Sequence, residues 1–164
     1  MAVAREEFFQ IMSAFPTGVA IVTTVELDGT PRGLTTNSVT SISAEPPIML
    51  VSVAKDSRTL PALQASRRFV VNFMRHDCEE MCRLFASRAD DKFDQVAWTA
   101  GEGGVPILDG AAVAHAQCET LEEMEIGDHI VFTGLVHAGA GPSPEDLPIV
   151  YFRRGFSAAP HQAS

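Results

Sequence analysis

Pro31-Arg32-Gly33-Leu34-Thr35-Thr36-Asn37-Ser38, followed by Ser41-Ile42-Ser43 and Glu45-Pro46-Pro47, is the part of this chain best equipped for chemistry. A strand here runs into a bend made almost wholly of small residues with hydroxyls, amides and free backbone N–H groups. With so little side-chain bulk in the way, main chain can come close to a flat polar ligand. A second polar loop, Lys55-Asp56-Ser57-Arg58-Thr59, follows the next apolar strand. It adds cations and hydroxyls of the kind that hold phosphate. Arg58 offers a guanidinium fork for bidentate binding, and Lys55 offers a point charge. Together the two loops suit a ligand with a polar ring at one end and a phosphate at the other.

The elements that must position these loops can be read from apolar spacing. Phe8, Ile11, Met12 and Phe15 give residues 6–15 a helical period, which Pro16 and Gly18 end. Residues 19–27 are rich in β-branched side chains, and Asp28-Gly29 is a hairpin turn signal into a strand at 31–36. Residues 48–53 form a continuous apolar strand, expected to be buried on both faces. Ser57 is placed to cap a helix running to Ala65, with Pro61 in its first turns. Strands are predicted at 69–74, 111–121, 129–137 and 149–152, and a short helix at 78–86 with Met81, Leu84 and Phe85 turned inward. Residues 90–98 and 139–146 read as loops, 101–104 as a flexible connection, and 157–164 as a mobile tail. About seven strands and three helices, with strands often adjacent in sequence, favour a mainly β fold, a closed or half-closed antiparallel barrel with appended helices. A single domain over 1–156 is expected for a chain of 164 residues. No strand–GxGxxG–helix unit is present, so a Rossmann domain is not supported.

Composition narrows the partners. Hydrophobic residues make up 46% and charged residues 20%, which fits a globular protein and argues against disorder. The net charge of −9 disfavours nucleic acid and anionic membrane, both of which need Lys or Arg against phosphate. The charge is unevenly spread. Eight of the 12 Lys and Arg lie between Lys55 and Lys92, while residues 93–152 hold ten acids and no Lys or Arg. A locally basic middle in an acidic protein suits a small anionic ligand, although for any one arginine a solvated helix face is the simpler explanation. The apolar runs are too short to span a bilayer, and the first residues lack a signal core, so cytoplasmic residence is expected. Three cysteines form no disulfide framework. His76, Cys78 and Cys82 lack a fourth ligand and the usual CxxC pair, so no metal site is expected. Cys118 reads as a core strand residue, and Phe8, Phe9, Phe15 and Phe93 as core or dimer contacts.

Phe15-Pro16-Thr17-Gly18-Val19, Gly33-Leu34-Thr35-Thr36-Asn37-Ser38 and Glu45-Pro46-Pro47 together resemble the flavin reductase domain family. The likeness continues through Phe69-Val70-Val71-Asn72, Phe85, Asp91-Lys92-Phe93, Gly127-Asp128-His129 and Pro148-Ile149-Val150-Tyr151. No single piece is specific; the order and spacing are. These are small NAD(P)H:flavin oxidoreductases that serve two-component monooxygenases. The resemblance implies a flavin-binding split β-barrel, a homodimer, and FMN or FAD bound near the subunit interface. It implies that Pro31, Arg32, Gly33, Leu34 and Thr35, with Asn37 and Ser38, line the ring and ribityl region. Ser52, Val53 and Ala54 would close the other side. Lys55, Ser57, Arg58 and Thr59 would take the phosphate, and Leu84 and Phe85 would pack near the cofactor. His129 becomes the candidate catalytic residue beside the nicotinamide of NADH or NADPH, with Tyr151, Arg153, Arg154 and Gly155 close by. The last strand departs from the family in ending Arg153-Arg154-Gly155-Phe156, with an extra arginine and no phenol. Arg154 could accommodate a 2′-phosphate if it faces the site. An Asp128 buried beside His129 would set its tautomer.

The implied activity is NAD(P)H-dependent reduction of FMN or FAD for a partner monooxygenase. Rival readings are a split-barrel enzyme that retains its flavin and acts on an organic substrate, and a non-catalytic flavin carrier. A member using haem or a deazaflavin is a further rival; haem is disfavoured, because no histidine has an apolar axial setting.

Overall fold

In the computed structural model, which describes residues 2–160, the chain starts with helix α1 (Arg5–Ser13) and the two-residue strand β1 (Thr17–Gly18). β2 (Ala20–Val25) and β3 (Pro31–Thr36) form the hairpin that Asp28-Gly29 foretells. Gly29 takes a φ of 87°, and Asp28 Oδ1 accepts the Thr30 N–H at 2.9 Å. β4 (Val39–Ala44) and β5 (Pro47–Ala54) form the next hairpin. Helix α2 (Leu60–Ser66), strand β6 (Arg68–Met74) and helix α3 (Glu79–Ala86) follow. A 3-10 turn at Lys92–Gln95 leads to the small pair β7 (Thr99–Ala100) and β8 (Pro106–Ile107). The long strands β9 (Ala112–Ile126) and β10 (His129–Ala140) pair antiparallel, and the hairpin of β11 (Ile149–Phe152) and β12 (Gly155–Ala158) comes last.

The main sheet has seven strands in the order β3-β2-β6-β9-β10-β5-β4. Its two end strands, β3 and β4, are consecutive in sequence and joined only by Asn37-Ser38. A sheet can satisfy that link only by curling until its ends meet. The two end strands form no ladder with each other: β3 is laddered to β2 alone, and the Ser52 N–H, donating to the Ser38 carbonyl at 3.0 Å, adds one rung to the β4–β5 hairpin at the foot of the link. This is an antiparallel split β-barrel, and the split leaves one edge of β3 bare.

The barrel interior holds Val22, Val51, Val53, Phe69, Val71, Cys118 and Phe132, all close to fully buried. A second cluster, around Ile21, Met74, Cys82, Phe85, Leu108 and Ile149, packs α3 and the β11–β12 hairpin against the outside of the sheet. β2 is therefore buried along its whole length. Its two buried hydroxyls are satisfied: Thr23 donates to the Pro106 carbonyl and Thr24 to the Arg68 carbonyl at 2.7 Å. Asn72 is fully buried and fully used. Its amide donates to Ile21 O at 3.0 Å and Thr23 Oγ1 at 3.2 Å, and its carbonyl accepts the Leu108 N–H at 2.9 Å.

Several expectations need correction. Among the described residues there are twelve strands rather than seven. Residues 39–44, which read as bend and loop, form β4; their Ser and Thr content hides an exposed edge strand. In β5 only Val51 and Val53 are buried, so this apolar run is not covered on both faces. α2 begins at Leu60 behind Thr59, and Ser57 Oγ accepts the Thr59 N–H at 3.3 Å in a local turn rather than capping the helix. Residues 157–158 belong to β12, and 161–164 of the expected tail lie outside the described residues. Phe8, Phe9 and Phe15 are 50%, 44% and 63% exposed and are not core. Asp128 is 92% exposed rather than buried. No described helix is long and apolar enough to cross a membrane.

Candidate active site

A cleft of about 440 Å³ opens at the seam between β3 and β5. Its floor is the bare edge of β3. The Gly33 carbonyl points away from β2, because it accepts the Thr59 hydroxyl at 3.0 Å. In an antiparallel strand the N–H of the same residue points the same way, and so does that of the residue two along. Gly33 and Thr35 therefore turn their N–H donors away from β2. The sequence folds this way because Gly33 has no Cβ: one added there would lie 2.8 Å from Phe85 Cε1 and 3.3 Å from Phe93 Cζ. α3 can thus lie flush against β3, and the Thr35 hydroxyl fixes it by donating to the Cys82 carbonyl at 2.6 Å.

Every residue from Pro31 to Ser38 lines the cleft, with Ser52 and Ala54 from β5, Ser57, Arg58 and Thr59, then Phe85 and His129. The structure thus brings together two loops about twenty residues apart in sequence. Val53 turns into the barrel core and does not line the cleft. The Lys55 ammonium pairs with Glu125 and lies outside the lining, as does Leu84, which packs in the second core cluster. Tyr151, Arg153 and Arg154 line a second cleft of about 290 Å³ with Phe9, Met12 and Phe15; Asn37 borders both clefts. Gly155 opens β12 opposite Phe152 and lines neither. Arg153 and Arg154 carry the β11–β12 turn with φ of 48° and 64°. Both sit in the left-handed region that side chains disfavour, a strain found at ligand sites.

The lining also contains Asp56, Arg88, Asp90, Lys92 and Phe93, beyond the residues that the sequence assigns to the site. The uneven charge distribution was the available signal for Arg88 and Lys92. Lys92 is half-buried, and its ammonium donates to Phe85 O at 2.9 Å and reaches Gly33 O at 3.4 Å. Burial, and then the nearby Arg58, push its pKa down. Phe85 and Phe93 meet edge to face at 5.1 Å, and Phe93 meets Trp98 in the same way at 6.1 Å.

His129 begins β10 and reaches the cleft rim. Its Nδ1 lies 2.8 Å from Asp128 Oδ1, and the hydrogen bond from His129 holds the Asp128 carboxyl below its ordinary range. An ionised carboxylate can only accept, so Nδ1 carries the proton and Nε2 is left as an acceptor in the neutral ring.

Residues 12–160 match the model of the flavin reductase like domain. The chain belongs to this family. The flavin reductase (NADH) of Kitasatospora aureofaciens is 43% identical over 157 residues, 94% of this chain and 82% of that protein. The reductase subunit HsaB of a flavin-dependent monooxygenase from Rhodococcus jostii is 35% identical over 152 residues, 93% of this chain and 76% of that protein. Two further relatives are longer, and the chain spans 40% and 42% of them. The solved structure of the NADH:FAD oxidoreductase SgcE6 of Streptomyces globisporus, in complex with NAD and FAD fragments, superposes with a TM-score of 0.89 at 34% identity. It is matched over 100% of this chain and 99% of that one. As a flavin reductase family member, the chain has a split barrel of the family's kind, and its seam cleft is the place to test for a flavin.

The cleft suits such a group. Its volume lies in the ordinary range for a small-ligand site. Bare N–H donors run along one wall, and hydroxyls and guanidinium groups stand at another.

Proposed function

We propose that this protein is an NAD(P)H-dependent flavin reductase that supplies reduced FMN or FAD to a separate monooxygenase. The observation that carries the reading is the union, at one seam, of a bare strand edge with a cationic, hydroxyl-bearing corner, in a chain whose relatives are named as flavin reductases.

In this reading the flavin supplies the hydride-accepting ring when bound. The outward N–H groups of Gly33 and Thr35, with Asn37 and Ser38 beyond them, hold its polar edge and favour negative charge there. Pro31, Arg32 and Leu34 complete that wall; Ser52 and Ala54 close the opposite side. Ser57, Arg58 and Thr59 form the phosphate corner. Phe85 and Phe93 keep the floor rigid and dry. His129, with its proton held on Nδ1 by Asp128, offers Nε2 to the carboxamide N–H of a nicotinamide. The second cleft, with Tyr151, Arg153 and Arg154, takes the rest of NADH or NADPH, reached past Asn37. No protein nucleophile is required.

Two subunits complete the site. α1 has no buried residue, although Phe8, Phe9, Ile11 and Met12 are apolar, and Leu121, Met124 and Ile126 on β9 are also exposed. A homodimer that covers such surface explains the half-exposed β5 and the uncovered helix. The three cysteines are free thiols, in keeping with a cytoplasmic, reducing setting.

The test is NAD(P)H oxidation by the purified protein with FMN, FAD or riboflavin in turn, run beside a sizing column. Flavin-dependent oxidation by a dimer is expected. Absence of flavin-stimulated oxidation with either nicotinamide would end the reading.

A further inference from the structure

The cation corner of the cleft is not free. Asp56 and Arg58 come from the loop after β5, and Arg88 and Asp90 from the loop after α3; all four line the cleft. Arg58 Nη2 lies 2.9 Å from Asp90 Oδ1, and Arg88 Nη2 lies 3.2 Å from Asp56 Oδ2. Arg58 Nη1 also donates to the Arg88 carbonyl at 2.5 Å. Each guanidinium reaches across to the carboxylate of the other loop, so the two pairs are crossed. Their side chains are between 55% and 78% exposed. Pairs so open to water add little to stability, so the fold does not need them.

A carboxylate oxygen held by a guanidinium N–H occupies a place that a phosphate oxygen would take. The four side chains sum to zero charge, whereas a corner built only to grip phosphate would carry unpaired cations. Resting on the flavin reading of the cleft, we propose that Asp56 and Asp90 are built-in competitors of the flavin phosphate. They hold Arg88 and Arg58 when the corner is empty and give them up when a phosphate ester arrives. Binding then exchanges one ion pair for another, and the phosphate adds little net affinity. The displaced carboxylates stay nearby and repel the ligand. That repulsion is stronger for the FMN monoester, near two charges, than for the FAD pyrophosphate, with one per phosphorus. The flavin is kept exchangeable, as a substrate that must leave for another enzyme requires.

Calorimetric titration of the full chain with FMN, FAD and riboflavin tests this. Riboflavin carries the ring without phosphate and reports on the rest of the cleft and on folding. Asp56→Asn and Asp90→Asn are each expected to tighten FMN by about two- to fivefold, the scale of an exposed ion pair, and the double variant by about tenfold. FAD should gain less and riboflavin nothing. Arg58→Gln with Arg88→Gln should bring FMN down to the affinity of riboflavin. The proposal is overturned if the Asn variants leave FMN unchanged or weaken it, or if riboflavin tightens equally. A wild-type protein that binds none of the three would instead remove the flavin reading itself, and this proposal with it.

Discussion

The Thr59 hydroxyl donates to the Gly33 carbonyl at 3.0 Å, within a buried contact that ties the start of α2 to the open edge of β3. The loop before α2 and the open edge of β3, which look independent in sequence, are thereby tied together. Thr59→Val keeps the shape and removes the donor. Lys92 reaches the same carbonyl only at 3.4 Å. Thermal or urea unfolding should show a loss of about 1–2 kcal/mol, the cost of stripping a buried acceptor of its main partner. Thr59→Ser should restore most of it. An unaltered Thr59→Val protein would show that the contact does not matter.

Gly33→Ala tests the close approach of α3. The new Cβ would meet Phe85 Cδ1 at 2.9 Å and Phe93 Cζ at 3.3 Å, so rings or strand must shift. Overpacking of this kind costs about 1–3 kcal/mol. Flavin-dependent NAD(P)H oxidation should fall together with the melting temperature. Ring movement without loss of either would contradict the account given of the cleft floor.

Asp128 and His129 give a pH signature. The Asp128 carboxyl sits below its usual range because of the His129 hydrogen bond. A depressed carboxyl stabilises the fold at pH values above its unfolded pKa, and that contribution disappears as pH falls through the lowered folded value. In His129→Gln, NMR titration should find the Asp128 carboxyl moved back up toward its ordinary value. The same variant should lower kcat/KM for NAD(P)H by about tenfold, the worth of one good polar contact. An Asp128 titration unmoved by the substitution would break the pairing.

The three thiols should differ in reactivity. Burial pushes Cys82 and Cys118 up to about 12, and burial with the adjacent Asp77 raises Cys78 less. Few thiolates exist at neutral pH, and the thiolate is the nucleophile. Mass spectrometry after iodoacetamide should find slow labelling at Cys78 alone in the native protein, and at all three in urea. Rapid native labelling of Cys118 would show that the barrel opens.

Much of this was legible in the chain. The hairpin at Asp28-Gly29 and the strand at 31–36 are local matters of turn chemistry and β-branching, and both stand as read. The bare bend and the second loop were visible as composition. Their meeting was not, because it depends on barrel closure, which no local window contains. β4 is hidden in the sequence because Thr40, Ser41 and Ser43 give an exposed edge strand the look of a loop. Arg88 and Asp90 looked like an ordinary charged connection; only the folded chain shows that they cross to Asp56 and Arg58.

Trp98, the single tryptophan of the chain, stands edge-on to Phe93, which forms part of the cleft wall. Indole emission overlaps the absorption of an oxidised isoalloxazine, so excitation there can pass to a neighbour by resonance transfer. The molecule therefore carries its own optical reporter: arrival and departure of a flavin can be followed in real time, in unlabelled protein, by watching one residue go dark and brighten again.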